Sequence, residues 1–84
     1  MYRIVPDATT FAQVAALPVH SLESYAQVLT TLEVAPWSGP PQHAGNPDGA
    51  VRRWTFGLSG AGQVVYLILE DQREVHLLLA QWLG

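Results

Sequence analysis

Three runs of apolar residues, separated by short polar turns, make up the last third of the chain. They read VRRWTFGL, QVVYLILE and EVHLLLAQWL, with SGAG and DQR as the turns. Residues 64–69 are apolar at every position, which is typical of a central strand covered on both faces. The flanking runs alternate, as strands with one covered face do. The pattern therefore predicts a three-stranded β-meander.

The alternation also predicts which side chains share a face. In the run at 51–58, Arg53 and Thr55 lie on one face, and the opposite face carries Trp54, Phe56 and Leu58. In the last run, one face carries Val75, Leu77 and Leu79, and the other carries Glu74, His76 and Leu78. If the register permits, Arg53 and His76 therefore lie together on an open face of the sheet.

The first 35 residues predict one strand and two helices. Residues 2–5 alternate, and Pro6 ends this strand because proline has no N–H to donate. Helical spacing predicts a first helix over 8–17, capped by Asp7 or Thr9, and a second over 21–34 with Ser21 as its N-cap. The stripes predicted to be buried are Phe11, Val14, Ala15 and Leu17 in the first helix and Leu22, Tyr25, Ala26, Leu29 and Leu32 in the second.

The element order β-α-α-β-β-β predicts a small α+β fold. We expect a single domain over residues 1–84, with a twisted, mainly antiparallel four-stranded sheet and both helices on one face. Residues 36–50 form a long segment rich in proline and glycine, of a kind that often carries function or disorder. Trp37 is expected to pin the start of this segment to the core.

Composition narrows the classes of function. Charged residues make up 13% of the chain and apolar residues 49%, so we expect another chain to cover part of the surface. A net charge of −3 without any lysine argues against general electrostatic binding of nucleic acid. Without a signal-peptide pattern or a run long enough to span a bilayer, a cytoplasmic protein with no membrane partner is expected. The chain has no cysteine and its three histidines lack ligand spacing, so neither metal nor cofactor is expected.

The candidate chemistry lies on the last strands. Arg52 and Arg53 are candidates to hold phosphate through bidentate contacts, or edge charges that keep the sheet from pairing with other chains. Arg73 is a further candidate phosphate contact. His76 is a candidate proton-transfer group because imidazole exchanges protons near neutral pH, although an exposed strand histidine without function fits the same pattern.

The end of the chain is a candidate partner-binding surface. Its sequence LLLAQWLG requires burial, either under the protein's own loop or against another chain. The residues expected to bind a partner are Leu78, Trp82 and Leu83.

The element order and two stretches of sequence resemble the RelE/ParE superfamily, the toxin components of bacterial type II toxin–antitoxin systems. Tyr2-Arg3 opens the chain and GQVVYLILEDQREVHLLLAQW closes it, and the resemblance spans nearly the whole length. The most telling piece is a glycine turn leading into an aliphatic strand with tyrosine, at residues 62–66. The resemblance implies the α+β fold described above and a small antitoxin as partner.

The resemblance also implies two alternative targets. One branch of the superfamily cuts messenger RNA on the ribosome with basic residues on the sheet, which would assign Arg52, Arg53 and Arg73 to RNA and His76 to proton transfer. The other branch inhibits DNA gyrase. Gln63 stands where the family carries an arginine, and no tyrosine follows Trp82. A non-enzymatic interaction module on the same fold, including a gyrase-type inhibitor, therefore stays open as the alternative, and a homodimer remains open as well.

Overall fold

The computed structural model describes residues 1–83 and contains a four-stranded mixed sheet. Its strands are β1 (Arg3–Pro6), β2 (Val51–Phe56), β3 (Gly62–Leu69) and β4 (Glu74–Trp82). In space they follow the order β1-β4-β3-β2. The meander β2-β3-β4 is antiparallel, and β1 joins it parallel to β4. The predicted α+β fold with a mainly antiparallel sheet is confirmed.

Two helices, α1 (Ala8–Ala15) and α2 (Leu22–Val34), cover one face of this sheet. Asp7 caps α1 as expected, since its Oδ1 accepts a hydrogen bond of 2.7 Å from the backbone N–H of Thr10. The core between helices and sheet includes Tyr25, Val28, Leu32, Phe56, Val64, Tyr66, Ile68, Val75, Leu77 and Ala80. Neither helix of the described chain has the length and apolar character needed to cross a membrane.

A β-bulge in β4 changes the predicted pattern of faces. Val65 pairs with Leu79, whereas the next residue, Tyr66, pairs with Leu77, so Leu78 is the extra residue. Beyond the bulge the alternation is shifted by one. Leu79 therefore lies on the open face with its partner Val65, and the expectation that it shares the covered face with Leu77 was wrong.

α1 buries only part of the expected stripe: Leu17 is buried and Val14 packs against the core as predicted, whereas Ala15 is exposed. Thr10 is fully buried, and its hydroxyl donates a hydrogen bond of 2.9 Å to the backbone carbonyl of Leu77. Gln13 Oε1 accepts a bond of 2.9 Å from the N–H of Ala80. Because α1 turns these two polar residues towards β4, Phe11 faces outward and is 73% exposed. The prediction that Phe11 is buried was wrong.

Other apolar residues also lie elsewhere than predicted. Leu22 and Ala26 of α2 are exposed, and Val28 takes their place in the core. Leu58 is exposed as well, because β2 ends at Phe56 and a short 3₁₀ turn (Leu58–Gly60) follows. The apolar surface is therefore larger than the sequence suggested.

The long segment between α2 and β2 is held against the sheet. The hydroxyl of Tyr66 donates a bond of 2.7 Å to the carbonyl of Pro36. Gly39 passes so close that a Cβ there would come within 2.2 Å of the Tyr66 hydroxyl, which requires glycine. Further along, the N–H of Gln42 bonds to the carbonyl of Val51, at 3.0 Å, so the segment runs beside β2 as a short extra strand.

Candidate functional site on the open face of the sheet

The face of the sheet opposite the helices carries two of the four side chains that were predicted to contribute chemistry, Arg53 and His76. In register with one another, the three antiparallel strands place these side chains on it: Val51, Arg53, Thr55, Gln63, Val65, Leu67, Glu74, His76, Leu79 and Gln81. Arg53 and His76 do share this face, as the alternation suggested. They lie two strands and about two residues apart, which separates their Cα atoms by about 12 Å. A group bound between them therefore has to bridge that distance.

His76 is part of a short chain of polar contacts that links the first and last strands. Its Nε2 lies 2.9 Å from Glu74 Oε1, and the other carboxylate oxygen of Glu74 accepts a hydrogen bond from Arg3. The contacts with His76 and then with Arg3 lower the pKa of the Glu74 carboxyl. Because a carboxylate only accepts, Nε2 is the donor in this contact, and Nδ1 of the neutral ring is left as an acceptor. The arrangement can orient His76 as a proton acceptor.

Arg53 extends from the middle of β2 and is exposed. Within residues 1–83 its guanidinium forms neither a salt bridge nor a side-chain hydrogen bond. Its five N–H donors are therefore available to an anion. Among the predicted site residues, Arg53 and His76 are the two that lie on the open face and are accessible to a ligand.

The side chain of Arg52 lies on the helix-covered side of the sheet, opposite Arg53. It has a structural role that the sequence did not reveal. It is 9% exposed, its side chain lies over the Trp37 ring at 5.0 Å, and its guanidinium donates to four backbone carbonyls. These carbonyls belong to Trp37, Gly39, Pro47 and Gly49, at 2.8–3.2 Å. With four of its five donors used inside the protein, Arg52 holds the long loop in place, and a single N–H remains for the phosphate contact predicted for it.

Arg73 is also engaged within the protein. It lies in the turn before β4, where it forms a salt bridge of 2.8 Å with Glu70 and stacks on the Tyr2 ring at 4.1 Å. Glu70 in turn accepts hydrogen bonds from Tyr2 and from Trp37, and these bonds, with that of Arg73, lower its pKa to about 2. The group ties β1, the β3–β4 turn and the long loop together, at the edge of the sheet away from Arg53.

We predict that Glu70 makes the free energy of unfolding fall with pH in the acid range. Its folded-state pKa of about 2 lies below the ordinary value of 4.5, so the folded chain binds fewer protons than the unfolded one. The stabilisation that the Glu70 carboxylate contributes is present above pH 4.5 and is lost as the pH falls towards 2. Urea denaturation between pH 6 and 2.5 should show a steeper loss for the wild type than for Glu70→Gln. Glu23→Gln, on the exposed side of α2, is the control and should keep the wild-type slope.

The predicted partner-binding residues differ in their surroundings. Leu83 is 70% exposed, and Leu78 in the bulge is 41% exposed. Trp82 instead packs against Phe56 and His20, with ring centroids 6.2 and 5.5 Å apart. The tail is therefore covered in part by the protein itself, and Leu78 and Leu83 remain open to a partner.

The sequence indicated some members of this site and missed others. The alternation placed Glu74 and His76 on one face, and the structure adds the contact between them. The participation of Arg3 was missed, because parallel pairing of β1 with β4 leaves no local signal in the sequence. Across the described residues, no group of three acidic, histidine or cysteine side chains is arranged to hold a metal ion.

Comparison with known proteins identifies the fold. No protein-family model and no curated protein sequence matches the chain. Among solved structures, the chain is similar to the isolated RelE toxin of E. coli, with a TM-score of 0.80 at 11% identity over 100% of this chain and 86% of the toxin. It is equally similar to the E. coli RelBE toxin–antitoxin complex, with a TM-score of 0.80 at 13% identity over 100% and 99% of the two chains.

A third similar structure is a free E. coli RelE toxin in which two arginines are replaced by alanine. It has a TM-score of 0.76 at 17% identity over 96% of this chain and 82% of the mutant. The strand order, the two helices on one face and the open opposite face thus recur over the full described length. The chain has the fold of the RelE toxin.

Proposed function

We propose that this protein is the toxin component of a type II toxin–antitoxin system, neutralised by a small cognate antitoxin. The observation that carries the proposal is the likeness, over the full length of this chain, to two solved structures: the isolated RelE toxin and the RelBE toxin–antitoxin complex. The exposed apolar residues Phe11, Leu78 and Leu83 support a protein partner, since a chain with little charge gains from covering them.

Within this proposal, the open face acts on RNA. Arg53 provides the free guanidinium for a backbone phosphate. His76, oriented by Glu74, provides the acceptor for a 2′-hydroxyl proton. Removal of that proton lets the 2′-oxygen bond to the adjacent phosphorus while the bond from phosphorus to the 5′-oxygen of the next nucleotide breaks. The products are a 2′,3′-cyclic phosphate and a 5′-hydroxyl, whose proton comes from water. This chemistry requires RNA, because DNA lacks the 2′-hydroxyl, and messenger RNA, free or on the ribosome, is the proposed substrate.

A second candidate function is a non-enzymatic protein inhibitor on the same fold, which would include a gyrase-type inhibitor. This candidate is favoured because most arginine side chains already have partners inside the protein. Arg52 and Arg73 bond within the chain, and Arg3 is paired with Glu74. That leaves Arg53 as the one arginine without an internal partner in the described chain. A net charge of −3 also opposes approach to a polyanion.

The cytoplasm, where both messenger RNA and gyrase are found, is the proposed location. Three further partners are predicted: the ribosome, DNA gyrase and a second copy of the chain.

Induced expression in a bacterial host tests the toxin proposal. Growth, incorporation of labelled amino acids and incorporation of labelled thymidine would be followed together. We expect growth to stop, with protein synthesis failing first. Arg53→Gln should relieve the arrest, whereas Arg73→Gln, an arginine already engaged with Glu70, should leave it unchanged. Early loss of DNA synthesis would favour the gyrase-type inhibitor, and normal growth at full expression would contradict the toxin proposal.

A further inference from the structure

A tight turn at residues 46–49 ends the long segment shortly before β2. The N–H of Gly49 donates to the carbonyl of Asn46 at 3.0 Å, which closes a β-turn with Pro47 and Asp48 at its centre. Asp48 is exposed, and it is the one acidic or amide side chain in the sequence that is followed directly by glycine. The turn takes no part in the proposed site on the open face.

An aspartate followed by glycine has a reaction of its own. The backbone nitrogen of Gly49 bonds to Cγ of Asp48, while the N–H proton and a carboxyl hydroxyl leave as water, and a five-membered succinimide ring is formed. Water then opens the ring. When it breaks the bond between the nitrogen and the original main-chain carbonyl, the product is isoaspartate, in which the chain runs through the side-chain carbons. Glycine favours ring closure because it has no side chain to shield the attacking nitrogen.

Arg52 holds the backbone on both sides of Asp48. Its Nε donates to the carbonyl of Gly49 at 2.9 Å, and a terminal nitrogen donates to the carbonyl of Pro47 at 2.8 Å. The side chain is 9% exposed, so the guanidinium is largely shielded from water. Ring closure requires an aligned approach of the Gly49 nitrogen to Cγ, for which the peptide group between the two residues has to rotate. The turn bond and the two Arg52 bonds oppose that rotation.

We propose that Asp48–Gly49 is a site of spontaneous isoaspartate formation, and that Arg52 sets its rate by holding the turn closed. The reaction then proceeds through local opening of the loop, whose population depends on the free energy of that opening and not on global unfolding. Arg52 contacts neither reacting atom, so it acts as a positioning residue. The modification is a property of the chain itself and does not depend on the proposed toxin function.

The product weakens the hold on the loop. Isoaspartate adds one carbon to the main chain between Cα of Asp48 and the nitrogen of Gly49, so Arg52 cannot keep both carbonyl bonds in their original geometry. Isoaspartate that accumulates with age therefore loosens the segment beside β2. The modified protein should unfold at a lower urea concentration than the unmodified protein, as Arg52→Lys does.

Timed incubation of the full chain tests the proposal. Samples would be denatured and digested with a protease that cuts before aspartate but not before isoaspartate, and the fragments quantified by mass spectrometry. Loss of cleavage before Asp48, relative to cleavage before Asp71, gives the rate. We expect isomerisation in the wild type to be about tenfold slower than in a synthetic peptide of residues 42–53, and Arg52→Lys to raise the rate of the full chain about fivefold.

Two variants provide the matched controls. Arg73→Lys changes an arginine that bonds to Glu70, away from the turn, and should isomerise at the wild-type rate. Thr10→Ala removes a buried hydrogen bond and destabilises the fold while the turn stays intact, so its rate should also match the wild type. Isomerisation as fast in the wild type as in the peptide, or an unchanged rate in Arg52→Lys, would overturn the proposal. So would Thr10→Ala reacting as fast as Arg52→Lys, because global unfolding would then carry the reaction.

Discussion

We expect Arg52→Met to lower the free energy of unfolding by about 3 kcal/mol, and Arg53→Met to change it by less than about 0.5 kcal/mol. The two arginines are adjacent, but Arg52 is buried and donates to four carbonyls of the long loop. A hydrogen bond from a charged donor contributes roughly 1.5–3 kcal/mol, and rehydration of some carbonyls as the loop moves keeps the loss below the sum. Urea denaturation of the three proteins at pH 7 measures the difference.

Arg52→Lys separates the charge from the geometry. A lysine ammonium has three donors and no planar fork, so it cannot reproduce the four contacts, and most of the stability loss should remain. A full recovery by lysine would show that charge alone holds the loop. Equal losses for Arg52→Met and Arg53→Met would contradict the structural role of Arg52.

If the chain cleaves RNA as proposed, His76→Gln should lower the rate of cleavage by about 10² to 10⁴, the range that a positioned acid–base group contributes. Glutamine retains a hydrogen-bonding side chain but cannot take up a proton. Glu74→Gln should lower the rate by a smaller factor, because Glu74 contacts the imidazole and its proposed role is to orient it. Single-turnover cleavage of a labelled messenger RNA, free and on translating ribosomes, gives the rates. Gln81→Ala, on the same face, is the control.

The same assay decides between the two candidate functions. If the wild type arrests growth and cuts no RNA in either setting, the open face is a protein-binding surface and the second candidate is favoured. If His76→Gln cuts as fast as the wild type, the proton acceptor is another group and the assignment of His76 is wrong.

Local signals in the sequence predicted the elements of the fold. Alternation and turn residues predicted the three-stranded meander, and Asp7, one of the two candidates, is the cap of α1. The shared face of Arg53 and His76 followed from the same alternation, because both lie in regular parts of their strands. These features depend on neighbours within a few residues, which a sequence displays directly.

Contacts between distant parts of the chain could not be predicted in this way. The hydroxyl of Thr10 bonds to the carbonyl of Leu77, 67 positions along the chain, so Thr10 faces β4 and is buried while Phe11 is exposed. Arg52 is an ordinary strand arginine in the sequence, and its burial depends on four carbonyls of a loop without regular pattern. The pairing of β1 with β4 likewise depends on residues about seventy positions apart.

That pairing affects when the protein can fold during its own synthesis. Arg3 lies opposite Glu74 and Pro6 opposite Leu77, and α1 bonds to the same strand through Thr10. Until β4 has left the ribosome, the first strand and the first helix have no sheet to join, and such distant pairing closes slowly. The contacts of His76 with Glu74 and of Glu74 with Arg3 form only at that last stage. A nascent chain would therefore gain its proposed activity only after its last strand is made, leaving an interval in which a partner already present could bind it first.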